Sequence, residues 1–229
     1  MGNRLAVGFP IFLASINMRA GLVLIGPLIP ILEKYFKLSP TQMSFLAAIP
    51  LLCFAGSSLI MGFISRLGSS NRIITWALVT LSIALIARAF TGLVGLFVFT
   101  FLMGISIAIM NYEIPAWVKE HAPDSSGLLT GVYVTIMGGA GAISVATSVP
   151  LAENSSLSWR MAMLPWMFLA VITSIYWLVK MRDRGGVTIS KSAPFWRSKA
   201  FKNPIAWALV FFFGFESMTF YATATWFPS

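Results

Sequence analysis

Runs of about twenty apolar residues recur from one end of this chain to the other, and nothing else constrains the fold as strongly. Seven can be marked, at roughly 6–32, 42–64, 73–91, 93–118, 127–151, 160–180 and 204–228. Each is long enough to cross a hydrocarbon layer about 30 Å thick as a helix. The runs are continuous rather than alternating, so they predict helices and not barrel strands. Charge supports this, since 10% of the 229 residues are charged and 58% are hydrophobic, against roughly 25% charged in a soluble domain. The expected class is an all-α integral membrane protein, multi-pass in the cell membrane.

The net charge of +9 does not point to nucleic acid, because the basic residues gather between the spans. One set of connections holds Arg4, Arg66, Arg72, Lys119, Lys180, Arg182, Arg184, Lys191, Arg197, Lys199 and Lys202, while the other holds Lys34, Lys37, Arg88 and Arg160. Positive residues favour the cytoplasmic side. The N-terminus and the 181–203 connection are therefore expected inside, and Arg88, near the end of its span, is expected to snorkel outward as an anchor. Within that connection, "APFWRSKAFKNP" mixes aromatics with cations and suits an interfacial helix on anionic headgroups.

The start "MGNRLAVGF" has no small-residue cleavage site after it, so it reads as part of an uncleaved first span. Cys53 stands alone, which excludes an intrachain disulfide. Metalloprotease, hydrolase and nucleotide-binding motifs are lacking, and His121 is the one histidine. Enzymatic function, metals and cofactors are accordingly not expected.

Four polar groups lie inside spans: Asn17 and Arg19 in the first, Glu113 in the fourth and Glu216 in the seventh. An arginine at mid-membrane depth costs roughly 2.5–3.5 kcal/mol on insertion scales, so its presence needs a reason. Arg19 and Glu216 each stand about a dozen residues into spans that begin on the same side, hence roughly 18–20 Å deep at 1.5 Å per residue. Asn17 and Arg19 are about 200° apart around a helix and do not address one spot. Asn17 is expected to hydrogen-bond a neighbouring helix. Arg19 either faces a water-filled cavity or pairs with Glu216 or with carbonyls; Glu216 is the candidate for proton coupling. Glu113, six residues before Lys119, either reaches headgroup depth or serves as a gate or proton site. Glycines 127, 131, 138, 139 and 141 give the fifth span a smooth face for close packing, with Pro150 at its outer end and no ligand role expected there.

These segments resemble the Major Facilitator Superfamily, and within it the cyanate permease and nitroimidazole transporter family. "NMR" followed by "GPLIP" is similar to the opening helix of that family, and "NYEIPAWVKEHAP", 111–123, to the end of its fourth. "GVYVTIMGGAGA", "VPLA" and "WRMAML" resemble its fifth and sixth helices, and "WALVFFFGFESMTFYATATWFP" its seventh. The loop "GFISRLGSSNR", 62–72, keeps Gly62, Arg66, Gly68 and Arg72 of the superfamily pattern but has Ser65 where aspartate is usual. Glu113 and Glu216 stand where that family's pattern has apolar or amide residues. The resemblance implies alternating-access transport of a small polar or anionic solute, cyanate-like or nitroimidazole-like. It adds Asn111 to Arg19, Glu216 and Asn17 as substrate-binding candidates, and Arg66 and Arg72 to Glu216 and Glu113 as coupling or gating candidates.

It also implies domains: a six-helix bundle over 1–181, a basic linker over 182–203, and the first helix of a second bundle over 204–229. The expectation is thus a truncated twelve-helix fold, the whole of which needs about 400 residues, lacking the second half of its own fold and otherwise monomeric. The partners expected are the solute, lipid and a coupling proton. The alternatives are an inactive truncated product and a seven-helix receptor. Against the receptor, residues 204–228 contain no lysine to hold retinal.

Overall fold

The computed structural model describes residues 2–64, 68–180 and 203–226. Their regular structure is helical: α1 Gly2–Val23, α2 Ile25–Phe36, α3 Pro40–Ile64, α4 Ser70–Phe90, α5 Gly92–His121, a 3-10 turn Pro123–Ser125, α6 Ser126–Glu153, α7 Trp159–Lys180 and α8 Pro204–Trp226. In lipid every backbone polar group must be satisfied within the chain, which is why continuous helices answer the apolar runs. Five helices, α3 to α7, are long and apolar enough to span a membrane. A sixth span arises if α1 and α2 are counted together. The outward faces stay apolar, with Trp76, Phe90, Val94, Phe168 and Val179 all exposed, as a lipid-facing surface requires. The chain is an all-α multi-pass membrane protein.

The first span differs from the uninterrupted run 6–32. It is two helices bent by 43°, and it continues to Phe36. Pro27 supplies the cause. Without an N–H it leaves the carbonyl of Val23 without its helical donor, and its ring crowds that carbonyl. Pro30 repeats the effect one turn later on Gly26. The seventh run is α8, apolar through Pro204–Thr219. Pro150 lies inside α6, which continues to Glu153 rather than ending there.

Helices α4 and α5 form the most extensive contact. They turn through Thr91 alone, and Gly92 takes φ +71° to start α5, a conformation that favours glycine. Helix α1 packs mainly on α6, α3 on α5, α4 also on α7, and α8 on α2. Where α3 crosses α5, a Cβ on Gly104 would stand 2.8 Å from Cys53 Sγ and 3.2 Å from Pro50 Cα, so the bare backbone of α5 sets that approach.

Polar ties close both ends. At the end where α4 begins and α5 finishes, Trp117 Nε1 donates to Asn71 Oδ1 and its ring stacks on His121 at 4.0 Å. Trp177 Nε1 reaches the Pro10 carbonyl at 3.2 Å. At the opposite end Arg160 Nε donates to the Ala89 carbonyl at 2.8 Å and Nη2 to the Tyr35 hydroxyl at 3.1 Å. Its guanidinium also lies over the Trp159 ring, 4.9 Å from the centroid. The linker expected over 182–203, with its interfacial helix, falls outside the described residues up to position 202.

Candidate functional site

Arg19 lies 17 residues from Gly2 and 17 from Phe36, midway along the bent pair. It is half-buried, and its stem runs across α6 at Gly141. A Cβ built on Gly141 would lie 3.2 Å from Arg19 Cγ and 3.6 Å from Val23 Cγ2. A side chain there would press on the arginine stem, which fits closely against the bare backbone. Arg19 and Val23 share a face at i and i+4, and that face is the one turned to α6. The smooth surface of α6 therefore acts here as the bed of a cation. Of the five glycines in this span, only Gly141 has a neighbour within 4 Å of its would-be Cβ; positions 127, 131, 138 and 139 meet open space.

Asn17 points elsewhere. Its Nδ2 donates to Thr173 Oγ1 on α7 at 3.0 Å and to the Leu13 carbonyl at 2.9 Å. It is buried, and the amide joins α1 to α7 while Arg19 faces α6.

The backbone just beyond Arg19 is held from two sides. Ser144 Oγ on α6 donates to the Ala20 carbonyl at 2.8 Å. Arg88 Nη2 on α4 donates to the Gly21 carbonyl at 3.0 Å. This overturns the expectation that Arg88 snorkels outward: its side chain is 0% exposed, with Nη1 3.4 Å from Met103 Sδ and Nη2 3.9 Å from Met163 Sδ. The single-residue connection explains the difference, since Thr91 leaves no loop for the arginine to escape into. Arg88 occupies the last turn of α4, where the carbonyl end of the helix favours a cation.

Glu113 is likewise 0% exposed, enclosed by protein rather than turned outward. Neither carboxylate oxygen has a hydrogen-bond partner among the described residues. Asn111, two residues earlier, is exposed. Arg72 is exposed too, and lines a groove of about 700 Å³ with Ile73 and Trp76 of α4 and Ile105 and Ile109 of α5. Arg66 lies outside the described residues. Glu216 is exposed on α8, in a hollow with Phe212, Phe215 and Thr219. Its helix α8 packs on α2, while the stem of Arg19 lies against α6. Among the described residues no group of three or more His, Cys, Asp or Glu is placed to hold a metal ion.

The sequence model of the Major Facilitator Superfamily matches residues 11–229. Among curated relatives, "Uncharacterized transporter YycB" of Bacillus subtilis is 31% identical over 218 residues, covering 95% of this chain and 54% of its own length. The "2-nitroimidazole transporter" of Escherichia coli is 28% identical over 227 residues, 99% of this chain and 58% of its own. "Cyanate transport protein CynX" of the same organism is 22% identical over 218 residues, 95% of this chain and 56% of its own. The chain spans little more than half the length of these relatives.

Proposed function

Since this chain belongs to the Major Facilitator Superfamily, we propose that it is part of a secondary transporter that moves a small polar or anionic solute by alternating access. The observation that carries this reading is Arg19, halfway along a broken first span and bedded on Gly141. A helix interrupted at mid-depth is the arrangement in which secondary transporters hold their solutes. A guanidinium there offers a planar fork of donors that matches a carboxylate-like or other planar anion. The solutes named for two relatives, cyanate and 2-nitroimidazole, are small and planar, which fits such a fork.

Residues 1–181 make the first bundle in this reading, 182–203 the linker and 204–229 the start of a second bundle. The protein resides in the cell membrane with its N-terminus cytoplasmic, on the strength of the charge asymmetry. Asn111, exposed on α5, stays with the solute-binding set. Glu113, Arg66 and Arg72 stay with the gate, and Glu216 is the coupling carboxylate. Asn17, committed to Thr173, supports the solute site from behind.

The test uses the full-length gene product in vesicles, with labelled cyanate and 2-nitroimidazole as probes. Arg19→Ala is expected to lower the initial rate at least tenfold at equal protein content, and Arg19→Lys less. Glu216→Gln is expected to lose accumulation driven by a pH gradient while keeping solute exchange. Equal transport by wild type and Arg19→Ala would leave Arg19 a purely structural residue. Intact pH-driven accumulation would remove Glu216 from the coupling role.

A further inference from the structure

We infer that Arg88 and Ser144 are positioning residues for Arg19, fixing the backbone that follows it at the break in the first span. The inference rests on the reading of Arg19 as the solute-facing cation. Near the break, the carbonyls that follow Arg19 take side-chain donors from neighbouring helices. Here the Leu24 N–H reaches the Ala20 carbonyl at a long 3.3 Å, and Ser144 adds a shorter bond to the same oxygen at 2.8 Å. The next carbonyl, Gly21, takes the Arg88 guanidinium at 3.0 Å. The two donors come from α6 and α4, so the chain just past Arg19 is gripped between two helices.

The rest of the geometry agrees. Gly21 exposes bare backbone on the side facing α4: a Cβ there would stand 2.9 Å from Leu85 Cδ2. Gly141 and Ser144 are three residues apart on α6, one turn of the helix. One therefore beds the stem of Arg19 while the other holds the carbonyl of the residue that follows. The position of α6 along α1 sets both together.

Arg88 is an expensive choice for packing alone. It is fully buried, its Nε has no hydrogen-bond partner among the described residues, and two of its contacts are thioethers, which accept weakly. Replacing a buried charge with an apolar side chain of similar volume is often neutral or stabilising. Apolar packing alone does not explain a guanidinium here, whereas a directed bond to one carbonyl does.

The experiment reads the direction of position 19 without any solute. In the full-length gene product carrying Cys53→Ser and Arg19→Cys, the rate of reaction with a charged methanethiosulfonate reagent is measured in vesicles, together with the melting temperature. Arg88→Met and Ser144→Ala are each expected to change the reaction rate at least fivefold, and Arg88→Lys to restore most of it. Arg88→Met is expected to melt within a few degrees of the parent. Rates unchanged in both variants overturn the inference. So does a drop in melting temperature with no change in rate, the signature of packing alone. If Arg88→Met fails to fold, Ser144→Ala decides alone. Because no transport is measured, this result stands apart from the Arg19→Ala assay.

Discussion

Asn17 and Thr173 share a hydrogen bond of 3.0 Å across the contact between α1 and α7. Such bonds in membranes contribute about 0.6 kcal/mol on average and up to about 1.7 kcal/mol. Asn17→Ala and Thr173→Ala are each expected to destabilise the chain, and the double-mutant cycle to return a coupling of about 0.6 kcal/mol or more. Reversible unfolding in detergent or bicelles measures it; zero coupling would separate the two side chains energetically and free Asn17 for a direct solute role. At this scale the sequence showed which residues are anomalous, because a polar group inside an apolar run is visible by itself. The divergence of Asn17 and Arg19 was visible too, since helical spacing puts them on different faces. Arg88 and Glu113 were not. Their distance from a helix end can be counted, but the side of α4 or α5 that faces protein depends on neighbours far along the chain.

At the scale of elements, Gly104 sets the crossing of α3 and α5. Gly104→Ala places a methyl carbon 2.8 Å from Cys53 Sγ and 3.2 Å from the backbone at Pro50. Overpacking of this kind costs about 1–3 kcal/mol, so a lower melting temperature is expected. Adding Cys53→Ala is expected to recover part of the loss, since it removes the sulfur but not the backbone contact. Gly138→Ala, with open space around its would-be Cβ, is expected to melt as the parent does. The apolar runs located the helices because length and hydropathy are local properties. Glycine-rich stretches were less informative: a missing side chain permits an approach without showing whether a neighbour comes. Gly104, a lone glycine in its stretch of the fourth span, meets Cys53 and Pro50, while four of the five glycines in the fifth meet nothing. The break in the first span was written in Pro27 and Pro30, but hydropathy runs through both prolines and hides the bend.

For the whole molecule, charge asymmetry predicts an orientation that can be measured. In a Cys53→Ser background, Ser156→Cys is expected to react with an impermeant thiol reagent on intact cells and Ser192→Cys to stay unlabelled. The reverse pattern would invert the molecule. Residue 156, between α6 and α7, is exposed, so its accessibility depends on the side of the membrane rather than on burial. The superfamily was legible because its motifs are local and ordered along the chain; the arrangement around Arg19 was not, because its parts come from distant segments. That separation also has a schedule. Ala20 leaves the ribosome 124 residues before Ser144, and Gly21 leaves 67 residues before Arg88. At about 5–20 residues per second, the Ala20 carbonyl waits roughly 6–25 s for the Ser144 hydroxyl. Helices α4 and α5, joined by one residue, pair as soon as both have emerged. The first span to be made is thus among the last to be finished, and until α6 arrives the nascent chain holds an arginine midway along that span with no bed to lie on.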